Sequence, residues 1–129
     1  MKYLLLTYLD EEAWDRLGAT EQQRLMREGT QFAHGLKASG KFLRCSPLHP
    51  VATATSVRVR EGRSLVTDGP FAETREQLGG YSLVDVAHRD EAVEIAARLI
   101  GSGPATIEVR PVLELAGLPN TRDSMSLQR

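Results

Sequence analysis

Residues 66–81, VTDGPFAETREQLGGY, hold the side chains of this chain best suited to acid/base or binding chemistry. Asp68 comes directly before a Gly-Pro pair, which is typical of a turn whose carboxylate accepts backbone N–H bonds. A carboxylate at a strand end is also a candidate general acid or base, so Asp68 is the first catalytic candidate. Backbone donors would keep its pKa low and favour orientation over proton transfer, so both interpretations of Asp68 stay open.

Three charged residues follow in the same segment: Glu73, Arg75 and Glu76. One interpretation is a solvated loop whose salt bridges contribute little to stability. The other is that Arg75 reaches into a cleft and binds an acidic substrate through its forked guanidinium group. Tyr81 is a further ligand-binding candidate, because its ring can pack in the core while its hydroxyl faces a cleft.

Two adjacent glycines, Gly79 and Gly80, predict a tight turn or a β-bulge where the chain enters a sheet. They do not predict a phosphate-binding loop, because no Lys-Ser pair follows and the next predicted element is a strand. The pair is therefore interpreted as a structural feature.

Charged side chains alternate with apolar ones in two predicted strands, where Arg58 and Arg60 lie on one strand and Glu108 and Arg110 on the other. If these sides face the interior between two subunits, the charges must pair, and Glu108 with an arginine is the expected ion pair. The alternative is a clamp for a substrate carboxylate, which makes Arg58 and Arg110 ligand-binding candidates.

The chain has three histidines and one cysteine, without the spacing of a metal site, so no metal is predicted. His34 lies on a predicted helix and is a second catalytic candidate, with a half-buried surface residue as the alternative. His88 is interpreted as a loop residue. Cys45 is expected to pack as a small apolar group. One cysteine cannot form an internal disulfide, which favours a reducing cytoplasm.

The overall composition limits the possible function classes. At 129 residues, 41% apolar and 26% charged, the chain is predicted to form one globular domain. Lys and Arg total 16 against 17 Asp and Glu, which argues against a nucleic-acid-binding protein. The first residues, MKYLLLTYLDEE, predict a strand rather than a signal peptide or a membrane span, so no membrane partner is expected.

Periodicity places these residues on strands and helices. Pro47 and Pro50 predict that the second strand lies at a sheet edge or bends, and Glu61-Gly62 predicts a two-residue hairpin turn. Predicted strands cover residues 2–8, 42–48, 53–60, 63–67, 81–86 and 106–113, and predicted helices cover 20–39 and 90–100, with one short helical turn at 13–17.

Local signals refine the two long helices. Thr20 and Gln23 fit a capping box, and Asp90 is the expected N-cap of the second helix. Gly29 lies on the apolar stripe of the first helix and predicts the close approach of another element. The element order is β-α-β, a hairpin, then β-α-β, which predicts an α+β sandwich with both helices on one face. The uncovered half-apolar face predicts a homodimer.

The sequence DGPFAETRE at 68–76, followed by LGGY at 78–81, resembles the signature of the YCII-related family in its DGPF branch, with Arg75 in place of Lys in DGPFAETKE. The segments ATSVRV at 54–59, DEA at 90–92 and IEVRPV at 107–112 match the same pattern. The resemblance spans residues 1–114 and implies a ferredoxin-like sandwich with an inserted hairpin, forming a dimeric α+β barrel. We therefore expect a domain at 1–115 and a polar tail at 116–129.

Most of this family has no assigned reaction. A shorter branch carries a His-Asp pair regarded as an active site, and its helix histidine falls near Gly29 here. His34 lies about one and a half turns later, so the pair does not carry over unchanged. DGPF proteins often accompany alternative sigma factors in bacterial genomes, so the resemblance also implies a regulatory role as a second hypothesis.

Two functional hypotheses follow. The first is a small cytoplasmic enzyme without an organic cofactor, with Asp68 as acid/base and Arg75 and Tyr81 assisting in a cleft under the 68–76 loop. The second is a non-catalytic homodimer that binds a small molecule or a regulatory protein.

Overall fold

The computed structural model describes residues 1–101 and 103–119. The predicted tail at 116–129 lies largely outside the described residues, since 120–129 are not among them. The strands are β1 (Lys2–Leu9), β2 (Phe42–Pro47), β3 (Thr55–Arg60), β4 (Arg63–Asp68), β5 (Gln77–Asp85) and β6 (Ala105–Pro111). The helices are α1 (Glu11–Arg16), α2 (Ala19–Ala38) and α3 (Arg89–Ile100), with a 3-10 turn at Val51–Thr53.

The main sheet has four strands in the order β2-β5-β1-β6, with every neighbouring pair antiparallel. The β2 strand lies at one edge, as its proline predicts. The β3 and β4 strands form a separate two-stranded hairpin whose turn residues, Glu61 and Gly62, both have positive φ. This is an α+β arrangement with antiparallel sheets, consistent with the predicted ferredoxin-like sandwich.

The core lies between the sheet and the two long helices. Leu5 and Val84 are fully buried on adjacent strands, and both belong to one cluster with Ile95 of α3. Phe32 and Leu36 of α2 pack against the same cluster. Both helices therefore cover one face of the sheet, as predicted. Burial of each large aliphatic side chain contributes roughly 1.5–3 kcal/mol.

The α2 helix covers this face loosely. None of its 20 residues is buried, and the α2 side chains that pack on the core, Phe32, Ala33 and Leu36, lie in its C-terminal half. The predicted close approach at Gly29 is wrong, because a Cβ atom there would meet nothing within 4 Å. The reason is that Gly29 borders an open space between α2 and strands β2 and β5.

The helix starts differ from the sequence prediction. The capping box at Thr20 is wrong, because α2 begins at Ala19 with Gly18 as N-cap and no side-chain cap. The Gln22 N–H donates to the Gly18 carbonyl at 3.1 Å, which closes the first turn before Thr20 can cap it.

The predicted N-cap of the second long helix is also wrong. His88, interpreted as a loop residue, caps α3 by accepting the Glu91 N–H on its Nδ1 atom at 3.3 Å. Asp90 lies instead in the first turn, where a negative charge favours the helix dipole. The Glu91 carboxylate accepts the Ala87 N–H at 3.1 Å and pairs with the Lys41 ammonium.

We predict a pH-dependent contribution from Glu91. The Lys41 bond, followed by the Ala87 N–H, holds the pKa of Glu91 below its ordinary value. A lowered folded-state pKa stabilises the fold above the unfolded pKa of about 4.3, and this stabilisation is lost as pH falls through the folded pKa. Glu91→Gln should therefore lower the Tm at neutral pH, and the difference from wild type should vanish in strong acid.

Thermal unfolding followed by circular dichroism across this pH range checks the prediction. Glu94→Gln, an exposed change on the same helix, is the matched control and should show little effect at any pH. A Tm difference for Glu91→Gln that does not change with pH would contradict the ion-pair origin.

The glycine pair lies inside β5, which begins four residues earlier than the predicted strand at 81–86. The register with β1 shifts between Thr7 and Tyr8, so Gly79 is the extra residue of a β-bulge, as predicted. A Cβ atom on Gly80 would lie 3.2 Å from the Ser46 carbonyl oxygen, so glycine lets β2 approach closely.

Among the described residues, no helix has the length and apolarity needed to cross a membrane.

Candidate functional site

Asp68 ends β4 at the base of the hairpin, and its side chain is exposed. The turn is held by backbone atoms: the Gly69 N–H donates to the Ala54 carbonyl at 2.7 Å, and the Ser56 hydroxyl donates to the Gly69 carbonyl at 2.7 Å. Gly69 has φ of 101°, a conformation that favours glycine. Within residues 1–101 and 103–119 the Asp68 carboxylate makes no hydrogen bond. Its catalytic role stays a prediction.

Arg75 lies on the surface, with 87% of its side chain exposed. Its Nε atom is 3.2 Å from a carboxylate oxygen of Asp10. Asp10 also caps α1 by accepting the Ala13 N–H, and this bond, followed by Arg75, lowers the pKa of Asp10. Glu76 accepts the Thr106 hydroxyl at 2.9 Å. These surface contacts fasten the 68–76 loop to the sheet end and leave the Arg75 side chain exposed.

Tyr81 belongs to a polar group on the open face of the main sheet. The register aligns Tyr81 with Ser46 and Leu6, while the next residue of β5, Ser82, is buried on the helix side. A hydrogen bond with Ser46 lowers the pKa of Tyr81. Partial burial of the tyrosine raises this pKa, and the nearby charge of Arg44 lowers it, so the net shift is downward. Tyr81 is therefore positioned on the face away from the helices.

The predicted ion pair of Glu108 is present on the same open face. Arg110 approaches the Glu108 carboxylate at 3.4 Å, and the Tyr8 hydroxyl donates to it at 3.3 Å. Burial, followed by the Glu108 charge, raises the pKa of Tyr8. Arg58 and Arg60 lie instead on the separate hairpin, so the structure does not bring the four charged residues onto one sheet.

A groove runs between α2 and the strands β2 and β5, and it reaches around the sheet edge to Arg44, Ser46 and Tyr81; we call it the α2 groove. It encloses a cavity of about 680 Å³. Its floor contains Phe42, Cys45, Gly80 and Ser82, and its helical wall consists of Met26, Gly29, Thr30, Ala33, His34 and Lys37. This groove is the open space left by the loose packing of α2.

The α2 groove continues into an inner compartment of about 280 Å³ below the start of α2. The two spaces share Thr7, Met26, Pro47, Ser82 and Leu99 as lining residues, so they adjoin. Apolar side chains dominate the inner lining, including Trp14, Leu25, Leu99, Ile100 and Ile107. Together the two spaces form an apolar site with a few polar groups at one end.

The polar groups of the α2 groove define its possible chemistry. His34 lies on its helical wall, and an imidazole can accept and donate a proton during a reaction. The prediction that Cys45 packs as an apolar group is wrong, because it is exposed on the groove floor. The reason is that Cys45 borders the open space between α2 and β2. In the described part of the chain, no three His, Cys, Asp or Glu residues could hold a metal ion.

Sequence reasoning placed the site at the 68–76 loop and missed the α2 groove. Of the two catalytic candidates, His34 lines the groove, whereas Asp68 does not line it in the described structure. A signal was present in the sequence. Gly29 and Ala33 are small residues one turn apart on the apolar stripe of α2, and small residues leave space when the helix does not move closer to fill it.

Comparison with known proteins places the chain in a family. An uncharacterized protein of Rhizobium meliloti (strain 1021) is 38% identical over 114 residues, which cover 87% of this chain and 92% of that protein. The family model of the YCII-related domain matches residues 1–116, which include the main sheet, both long helices and the hairpin. The chain therefore belongs to the YCII-related domain family.

Proposed function

We propose that this protein is a homodimer that binds a small organic molecule in the α2 groove of each subunit. The supporting observation is the groove itself, whose volume of about 680 Å³ falls within the range of small-molecule sites. Its mostly apolar lining removes hydrocarbon from water, and its few polar groups orient the ligand. Among the lining residues, His34 is the proposed group for transferring a proton to or from the bound molecule.

The groove supports binding better than the 68–76 loop does. Asp68 and Arg75 are exposed, so a ligand held by them alone would remain in water, where charge interactions are weak. A molecule between α2 and the sheet is shielded on two sides. The primary ligand site is therefore assigned to the α2 groove.

The dimer is proposed from two apolar surfaces that the single subunit leaves partly uncovered. On the open face of the main sheet, Leu6 and Leu83 are only half-buried although they lie on central strands. On the hairpin, the register places Val57 opposite Val66, and these side chains are 67% and 68% exposed. A second copy that packs against these surfaces would remove both from water.

Gly29→Phe is expected to block the α2 groove and weaken binding of the neutral dye N-phenylnaphthylamine by at least about tenfold, or roughly 1.4 kcal/mol. The new ring enters open space, because a Cβ atom at Gly29 contacts nothing. The fold should be retained, since phenylalanine is a better helix residue than glycine. Dye fluorescence and quenching of Trp14, the one tryptophan of the chain, report binding.

Gly35→Phe is the matched control. Gly35 also lies on α2 with open space around its Cβ position, but it is not among the lining residues of the α2 groove. This variant should bind the dye as wild type does. Equal dye affinity of Gly29→Phe and wild type would refute the assignment of the ligand to the groove.

A further inference from the structure

We infer that the natural ligand of the α2 groove is an amphipathic carboxylate, with its anionic head at Lys37 and its hydrocarbon body extending toward Trp14. This inference rests on the proposed function and specifies the chemical class of the ligand. Three observations carry it: the sign of the charges around the groove, the ion pairing of the lysines, and the apolar interior.

The charged residues that line the α2 groove have one sign. Lys37 and Arg44 are its charged lining residues, and no Asp or Glu lines either the groove or the inner compartment in the described structure. The chain as a whole has slightly more acidic than basic residues, 17 against 16, so this one-sided lining differs from the average surface. A groove of this charge favours an anion over a cation.

Lys37 is available to bind that anion. Lys2 pairs with Glu114 at 3.2 Å, and Lys41 pairs with Glu91. The Lys37 ammonium forms no ion pair with any residue in ranges 1–101 and 103–119. Arg44 is less suited to this role, because strand alternation directs it with Tyr81 toward the open face. The head group is therefore assigned to Lys37.

The position of Lys37 relative to the inner compartment sets the shape of the ligand. Lys37 follows Met26 by eleven residues, which corresponds to about 16 Å along a helix. Met26 lines both the groove and the inner compartment, where Trp14 and Leu25 provide apolar surface. An elongated molecule along α2 can thus contact the ammonium at one end and apolar side chains at the other. Each buried methylene contributes about 0.8 kcal/mol to the binding free energy, so most of the affinity would come from the hydrocarbon body of the ligand.

The test uses three probes with the same ten-carbon chain and different heads: decanoate, decanol and decyltrimethylammonium. Each displaces N-phenylnaphthylamine from the full-length protein at low ionic strength, below the concentration at which the probe aggregates. Decanoate should bind about tenfold more tightly than decyltrimethylammonium. Lys37→Gln should weaken decanoate about fivefold at low ionic strength, as expected for an ion pair at an exposed ammonium, and leave decanol within about twofold.

Arg27→Gln is the control for net charge, since Arg27 is exposed on α2 and is not a lining residue of the groove. It should leave decanoate affinity unchanged. One outcome overturns only the carboxylate assignment. In it, Gly29→Phe weakens displacement of the dye by decanol, but decanoate binds no more tightly than decyltrimethylammonium and Lys37→Gln does not change its affinity. The assignment of ligand binding to the α2 groove would then remain. If dye binding itself does not depend on Gly29, the proposed function fails as well.

Discussion

Leu5→Ala is expected to lower the free energy of unfolding by about 2–5 kcal/mol, which is a large fraction of the stability of a domain of this size. Leu5 has no exposed surface and lies on β1 in the centre of the core cluster. Truncation removes hydrophobic transfer energy and leaves a cavity. The surrounding sheet can collapse into that cavity only partly, because β1 is bonded to a strand on each side. Urea unfolding followed by circular dichroism measures the change.

Leu115→Ala is the matched control, because it deletes the same atoms from a side chain in a residue that is 57% exposed. We expect it to change the free energy of unfolding by no more than about 0.5 kcal/mol. If Leu5→Ala unfolds at the same urea concentration as Leu115→Ala, the core does not lie between this face of the sheet and the helices.

Leu6→Glu is expected to convert the proposed dimer to a folded monomer. Leu6 neighbours Leu5 in sequence but lies on the open face, between Tyr81 and Glu108 in the register. In a symmetric dimer that closes over this face, the substitution would bury two new carboxylates close to the Glu108 charges. The cost of burying unpaired charge would exceed the gain from the remaining contacts. Light scattering should show the mass fall from two chains to one.

The control for this substitution is Val93→Glu, which adds the same charge on the solvent side of α3, where Val93 is already exposed. It should leave the mass unchanged. A wild-type protein that scatters as a single chain, or a Leu6→Glu protein that remains dimeric, would show that the open face does not form the interface.

Side-chain alternation in single strands predicted much of this fold correctly. In β6, alternation predicted that Glu108 and Arg110 lie on one side and the apolar residues on the other, and the structure packs Ile107 against the core with Glu108 on the opposite face. Alternation succeeded because a strand has a period of two, so one buried residue determines the side of its neighbours up to the next bulge. The edge position of β2 followed from a different property, since Pro47 has no N–H to donate to a second neighbouring strand.

The α2 groove was not predictable in this way. A helical stripe shows which side of α2 faces the sheet, but not how closely the helix approaches. That distance depends on how the side chains of both long helices pack together on one sheet, and it determines whether Gly29 marks a contact or a space. The starts of the two long helices were also predicted wrongly. Thr20 and Asp90 fit capping patterns, but Gly18 and His88 occupy the N-cap positions.

The role assigned to Asp68 from sequence depended on which way the hairpin projects. A carboxylate beside a Gly-Pro turn is compatible with a buried acid and with an exposed strand end. In the structure of the single chain the Asp68 side chain is exposed. The turn is held by the backbone hydrogen bond between Gly69 and Ala54 rather than by the Asp68 carboxylate. Local sequence does not determine where a projecting hairpin points relative to the rest of the domain.

A crystal structure of the protein soaked with N-phenylnaphthylamine tests the assignment of ligand binding to the α2 groove most directly. We predict electron density for the dye between Gly29 on α2 and Cys45 on β2, with one aromatic ring extending toward Trp14. Density for the dye only beside Asp68 and the hairpin, with the α2 groove closed by movement of the helix onto the sheet, would contradict the account.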